Sequence, residues 1–463
     1  MSDLVTIILA AGKGTRMKSK LPKVLHKAAG KAMLQHVIDA AREAGADRNI
    51  VVTGFGGDMV REAMGEQAGV EYVTQAEQLG TGHAVLQARE KLEGVRGTVM
   101  VLCGDTPLLT GALLKNLYEA HKEAKAKATV LTAIMPDATG YGRIIRGEDG
   151  SVLKIVEHKD ASEEERQVKE VNSGIYCFDI EAMFGALAKV TNDNAQGEYY
   201  LTDMVGIYRQ IGEPVSALLA EDDSELLGVN SRVQLAQVTK IMQERINGQL
   251  MAEGVTMLDP SMVWVGPEVT VDRDTELLPM TMLWGKTSIG SDCVIGPNTR
   301  LTNVTVGDGS SVEETVGYDT VIDQDVTVGP RAYLRPGTHL CDRAHVGTHV
   351  EIKNSTIGEG SKVPHLSYIG DTSMGSGVNI GAGSITCNYD GVNKHRTTIG
   401  NDVFIGSDTM MVAPVSIGDG ALVGASSCIT SDVPADALAL ERSDQQVIEG
   451  YAKVRRERLH KEK

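Results

Sequence analysis

Two groups of residues in this 463-residue chain have the types and spacing to do chemistry. The first is Leu9-Ala-Ala-Gly-Lys-Gly-Thr-Arg-Met17, directly after the apolar run Val5–Leu9. Small residues there let backbone N–H groups approach an anion, and Lys13 and Arg16 add positive charge. No GxxxxGK[ST] loop is present, and Met17 stands where a dinucleotide fingerprint needs its third glycine. The second group is Arg335-Pro-Gly337, Glu351-Ile-Lys353, His365-Leu-Ser-Tyr368, Asn379-Ile-Gly-Ala382 and Asn388-Tyr389. Arg335 and Lys353 lie eighteen residues apart, the length of one coil in a stacked repeat, so both should occupy one edge, where two such cations can clamp a phosphate. A lone histidine at a turn is ordinarily a surface residue. The stretches PHLSY, NIGAG and CNYDG single out His365, while His339, His345 and His349 read as surface residues.

The elements that must position these groups follow from periodicity. Up to about Asn230, apolar runs (Val5–Leu9, Asn49–Val52, Val99–Leu102, Thr129–Ile134) alternate with helical stretches (Met33–Ala44, Thr81–Lys91, Ala112–Glu123). Such alternation predicts a mainly parallel sheet covered by helices, with ligands at the carboxyl ends of the strands. Leu235, Val238, Met242, Ile246 and Leu250 predict one helix over 231–253, about 35 Å long. It serves either as an arm between domains or as a last helix packed on the first. Beyond Val263 the period becomes six: Ile399, Ile405, Met411, Ile417, Val423 and Ile429 run in phase, many followed by Gly. This hexapeptide repeat predicts a parallel β-helix of about nine coils, ~45 Å long, with an apolar column inside. The rhythm breaks over Thr386–Thr398, a protruding loop, and ends after Val433. The expected domains are 1–230, a linker helix 231–253, and 254–463.

Composition bounds the function. The chain is 42% hydrophobic and 23% charged, which excludes disorder. No apolar run approaches the roughly 20 residues that span a bilayer, and Met1–Leu9 reads as a first strand rather than a signal peptide. A cytoplasmic location without membrane partners is therefore expected. Six cysteines without a CxxC pair predict reduced, mostly buried thiols. A net charge of −17 argues against nucleic acid as a partner. Lys13–Lys31 and the tail Tyr451–Lys463 run against that sign. Lys18, Lys20 and Lys27 read as solvated surface charge, and the tail as a solvated segment or one that docks on a neighbouring subunit.

Leu9-Ala-Ala-Gly…Gly-Thr-Arg-Met17 followed by Leu21-Pro-Lys-Val-Leu25 resembles the sugar-phosphate nucleotidyltransferases. Gln75-Ala-Glu-Gln-Leu-Gly-Thr81, Gly104-Asp105, Gly140-Tyr-Gly-Arg143, Glu157-His-Lys-Asp160, Asn172-Ser-Gly174 and Gly228-Val-Asn230 continue the match in order. With the repeat half attached, the chain resembles the bifunctional N-acetylglucosamine-1-phosphate uridylyltransferase/glucosamine-1-phosphate acetyltransferases. The resemblance implies a Rossmann-like α/β domain joined by a long helix to a left-handed parallel β-helix, assembled as a homotrimer. It implies acetyl transfer from acetyl-CoA to glucosamine 1-phosphate, then coupling of N-acetylglucosamine 1-phosphate to UTP, yielding UDP-N-acetylglucosamine for cell-envelope precursors.

Two anions must meet in the coupling step, so positive charge matters more there than a base. By resemblance Arg16 and Lys23 neutralise the phosphates, and Asp105 and Asn230 hold Mg²⁺, a hard ion suited to oxygen ligands. Asp105 has a plainer alternative as a cap for the helix starting near Thr110. Leu9, Ala10, Ala11, Gly12, Gln75, Gly80 and Thr81 would hold uridine, and Gly142, Glu157 and Asn172 the sugar. Cys103 reads as packing. In the repeat half His365 would be the base that takes the amine proton. Tyr368 and Asn379 would bind the sugar beside Arg335 and Lys353. Ala382, Ser407, Ala425 and Arg442, with Asn388 and Tyr389 on the loop, would meet acetyl-CoA. Pro364 stands where the family often has Gly, and Glu441 where a small residue is usual. A monofunctional nucleotidyltransferase with a regulatory β-helix, like glucose-1-phosphate adenylyltransferases, and a non-enzymatic trimeric scaffold are the alternatives.

Overall fold

The computed structural model describes residues 3–461, which divide into two compact units, Met1–Gln243 and Glu244–Lys463. In the first unit, seven strands form one sheet in the order Val215–Leu219, Ala128–Ile134, Glu170–Asp179, Thr98–Cys103, Leu4–Ala10, Arg48–Thr53 and Val70–Thr74. Every neighbouring pair is parallel except those made by Glu170–Asp179, which runs antiparallel to both its neighbours. A hairpin, Arg143–Arg146 with Val152–Val156, attaches to Val171. Alternation along a strand sends neighbours to opposite faces, so Ile7 and Ile8 enter two different cores. Ile8 packs under the helices Met33–Glu43 and Gly111–Glu123, and Ile7 under Thr81–Leu86, Ile180–Leu187 and Asp203–Gln210. Sheets buried on both faces read as continuous apolar runs, which is how the central strands read in sequence.

The expected helix over Thr81–Lys91 is α-helical only to Leu86. Gln87, Ala88 and Arg89 then donate to the carbonyl three residues back, and Glu90–Leu92 is a 3-10 turn. That tighter winding turns Ala88 and Leu92 into the core. The strand expected at Met1–Leu9 is Leu4–Ala10; Met1 and Ser2 lie outside the described residues, as do Glu462 and Lys463 of the tail.

The boundary between the two units, after Gln243, falls within the helix Arg232–Ala252, and the hexapeptide half is a three-faced parallel β-helix. One face is an eleven-stranded sheet running from Thr256–Met257 to Leu438–Ala439, and the other two belong to a single seventeen-stranded sheet. Arg300–Val306 and Val316–Ile322 join those two by continuing around a corner. Inward residues such as Ile295, Val312, Val328, Val346, Val363, Ile380 and Ile405 form an unbroken buried column. Buried hydroxyls at the corners satisfy the turns: Thr338 donates to the Arg335 carbonyl at 2.7 Å, and Ser361 to that of Gly375 at 2.8 Å. The solenoid extends past both limits read from the repeat. Met257 precedes Val263, and after Val433 one more strand, Leu438–Ala439, pairs with Leu422 and Val423. Those end coils lack the glycine pattern, so periodicity alone misses them.

The loop is shorter than expected, because Ile385–Cys387 and Thr397–Ile399 are strands. The tail forms a helix, Tyr451–Lys461, exposed from Tyr451 to His460. Among the described residues all six cysteines are unpaired, but only Cys177 and Cys293 are fully buried, and the other four are half-buried. No helix among the described residues is long and apolar enough to cross a membrane.

Candidate functional site

In the first unit the candidate residues meet at the carboxyl ends of the central strands. Leu9 pairs with Cys103, which brings the glycine loop beside Gly104-Asp105. Gly14 has φ +57°, and a Cβ there would lie 2.7 Å from Lys23 Cβ, so glycine lets the lysine pass inward. Lys23 Nζ then donates to Asp105 and, at 3.1 Å, to Asn230 Oδ1. The Asp105 carbonyl accepts from Val229 N at 2.9 Å, which fixes Asn230 beside it. The helix-cap alternative for Asp105 is excluded: Thr110 caps that helix, its Oγ1 accepting from Leu113 N at 3.2 Å.

Asp105 and Cys103 border two cavities. One, of about 280 Å³, is lined by Leu9, Ala10, Ala11, Gly12, Gln75, Gly80 and Thr81 together with Gln78 and Glu198. The other, of about 260 Å³, is lined by Arg16, Tyr141, Ser173 and Asn230 among others. A larger hollow of about 690 Å³ elsewhere holds Arg89, Arg96, Glu181 and Phe184 and none of the sequence-predicted residues. Gln75 Nε2 is committed to the Gly80 carbonyl and His83 Nδ1, both at 3.1 Å. That leaves its carbonyl oxygen as the acceptor it can offer a base. Gly142, Glu157 and Asn172 converge: Asn172 N donates to the Gly142 carbonyl at 2.9 Å, and a Cβ on Gly142 would lie 3.6 Å from Glu157 Oε1. Burial raises the Glu157 carboxyl above its ordinary range, while its bond from Thr202 opposes that. Burial also pushes the Cys103 thiol up to about 12, so it stays neutral and packs.

In the solenoid, register places Arg335 above Lys353, since Leu334 pairs with Ile352. Arg335 Nη1 holds Glu351 at 2.7 Å. Lys394, from the loop, lies against Lys353 and holds its amine below the usual lysine range. Three cations thus share one corner, an arrangement that suits a phosphate. Sequence reasoning missed Lys394; its signal was a lysine inside the break of the repeat. Asn388 joins this corner, donating to Asp371 and, at 3.4 Å, to Tyr368 Oη. The Tyr389 hydroxyl bonds its own loop, at Gly391.

His365 and Asn379 belong to the adjoining face. The Lys362–His365 strand pairs with His345–Thr348 and with Asn379, so His345, Lys362 and Asn379 stack outward there. His345 is therefore no lone surface residue. Burial, then Lys362 and His365, hold its imidazole below the ordinary range. His365 is exposed and lies at the corner leading into Tyr368–Gly370. Pro364 is accommodated inside its strand. Ala382, Ser407 and Ala425 stack on one edge, through Asp408 N to the Ala382 carbonyl at 2.7 Å and Ser426 N to that of Ser407 at 2.8 Å. Arg442 Nη1 reaches the Ala425 carbonyl at 3.3 Å, and the Glu441 carboxylate accepts from Cys428 N at 3.2 Å. No bond among the described residues links Asn388 to that edge.

Comparison with known proteins agrees with both halves. Residues 5–232 match the nucleotidyl transferase family, residues 286–313 the hexapeptide repeat of succinyl-transferase, and residues 396–431 the bacterial transferase hexapeptide. The chain is 52% identical to the bifunctional protein GlmU of Heliobacterium modesticaldum, covering 97% of this chain and 98% of that protein. It is 51% identical to its counterpart in Caldanaerobacter subterraneus subsp. tengcongensis, over 98% and 99%. Sheet, prism and full-length similarity lead to one conclusion: the chain belongs to the GlmU family of bifunctional transferases.

Proposed function

We infer that the chain makes UDP-N-acetylglucosamine in two steps, acetyl transfer on the β-helix and uridylyl transfer on the α/β unit. The observation that carries the second step is the convergence of Lys23, Asp105 and Asn230 where two cavities meet. UTP fits the glycine-loop cavity and N-acetylglucosamine 1-phosphate the side carrying Gly142, Glu157 and Asn172. The sugar phosphate oxygen attacks the α-phosphorus, and the bond to the departing pyrophosphate breaks. Lys23 and Arg16 offset the charge that builds up, a task for fixed cations in a shielded site. The Asp105 carboxylate and Asn230 carbonyl oxygen already converge on one cation, the Lys23 ammonium, so their donor set fits Mg²⁺. Such an ion supplies further neutralisation of the phosphates.

On the β-helix, Arg335, Lys353 and Lys394 hold the phosphate of glucosamine 1-phosphate. The sugar amine attacks the thioester carbonyl of acetyl-CoA, His365 takes the amine proton and returns it to the departing sulfur, and CoA leaves as a thiol. Tyr368 and Asn379 orient the sugar, and the edge of Ala382, Ser407, Ala425 and Arg442 carries the CoA. Phe404, Leu422 and Leu438 are exposed on consecutive coils of one face. That apolar row supports self-association as a homotrimer. A cytoplasmic setting suits these substrates.

The test incubates the protein with glucosamine 1-phosphate, acetyl-CoA, UTP and Mg²⁺, leaving out one at a time. Free CoA should require only the first two, and pyrophosphate should require all four. Pyrophosphate release without acetyl-CoA, or no CoA release at all, would overturn the sequence of steps.

A further inference from the structure

Asp323, His339 and Cys341 lie on the solenoid and take no part in either site described above. Their Oδ, ring nitrogen and Sγ atoms all come within 4.8 Å of one another. Two regularities of the fold assemble them. His339 and Cys341 are two apart, so they point to the same, outward side of one strand row. Asp323 occupies the position of Cys341 one coil earlier, because Ile322 pairs with Leu340. His339 Nε2 already bonds Asp323 Oδ2 at 2.8 Å.

This position in the coil is normally glycine. Down the row it reads Asp272, Gly290, Gly307, Asp323, Cys341, Gly358, Gly375, Gly400 and Gly418. At Gly290, Gly307 and Gly375 a Cβ would come within 3 Å of atoms of the next turn. Two successive coils thus replace glycine with metal-ligating side chains. The outward residues of the neighbouring strand positions are Ser288, Thr305, Val321, Thr356 and Ser373, with His339 the one imidazole among them. The surroundings are also anionic, since Asp342 and Glu359 face Cys341 as well as Asp323.

We propose that Asp323, His339 and Cys341 form a binding site for a borderline divalent cation of the Zn²⁺ type, completed by solvent and bridging two coils. Thiolate, imidazole and carboxylate are each zinc donors, and zinc needs donors roughly 3.3–3.7 Å apart in a tetrahedron. Half-exposed side chains reach that by small rotations. Binding displaces the Cys341 thiol proton to solvent, and the His339 proton moves to Nδ1 so that Nε2 can ligate. No redox step is involved.

The experiment uses the full chain stripped by a chelator and titrated with Co²⁺, then Zn²⁺. The intact protein should give a thiolate-to-cobalt absorption band that saturates near one equivalent and is erased by Zn²⁺. Cys341→Ser should abolish the band, and His339→Gln should weaken cobalt binding at least about tenfold. Both variants should keep CoA and pyrophosphate release at the unsubstituted rate, which also shows that they fold. Zn²⁺ should slow alkylation of Cys341 in the intact protein. Absence of the band, or its persistence in Cys341→Ser, would overturn the site.

Discussion

The two units solve the same problem, gathering charge at the site proposed for a phosphorylated ligand, by opposite routes. In the α/β unit Lys23 meets Asp105 across 82 residues and Asn230 across 207. In the solenoid Arg335 meets Glu351 across 16, and Asn388 meets Asp371 across 17. A sheet collects distant loops at its strand ends, whereas a coil brings each residue back beside its neighbour one turn later. Spacing in sequence is therefore a map of space in one half and not in the other.

That contrast is open to attack, beginning with the largest effect. Lys23→Ala should lower uridylyl transfer about 10³-fold, since it removes a fixed cation from a site of accumulating negative charge. Acetyl transfer, assayed as CoA release, should not change; a loss of both would mean that the halves are not chemically separate. The mirror experiment is His365→Ala, expected to cost acetyl transfer about 10²-fold or more while pyrophosphate release from supplied N-acetylglucosamine 1-phosphate stays intact.

Stability should divide the same way. A Cβ on Gly347 would fall on the Pro364 carbonyl of the next coil. Gly347→Ala should thus destabilise the solenoid by about 3 kcal/mol, moving its calorimetric transition and not that of the α/β unit. The α/β unit should respond to acid instead. Burial holds His121 at about 4, and its Nδ1 bonds Thr129 Oγ1 at 2.9 Å. With a folded value below the unfolded 6.5, the unfolded chain binds the extra proton. The stability is then fully present above pH 6.5 and lost as pH falls toward 4, about 2 kcal/mol of it by pH 5. Denaturant midpoints against pH should show the slope, and His121→Gln should flatten it. The smallest effect is expected at Gly206, helical and with open space at its Cβ position. Gly206→Ala should stabilise the α/β unit by roughly 0.5–1 kcal/mol in urea titration.

The amino-acid sequence by itself determined the two architectures. Buried strands must be apolar and a stacked coil must repeat its inward residue, so Ile8, Val51 and Leu102 on one side and Ile405, Val423 and Ile429 on the other were legible as cores. It also exposed the vertical pairing of Arg335 with Lys353, because a coil has a fixed length. Only the tertiary structure decided what spacing does not encode. The antiparallel course of Glu170–Asp179, the convergence of Asn230 on Lys23, and the entry of Lys394 beside Lys353 all depend on how irregular segments return. So does the placement of His365 with His345 and Asn379 on one face while Tyr368 lies around the corner on the next. A periodic pattern is a local constraint repeated many times, and it survives in one dimension. A loop closes through the sum of many weak contacts, and the place where it arrives is written only in three.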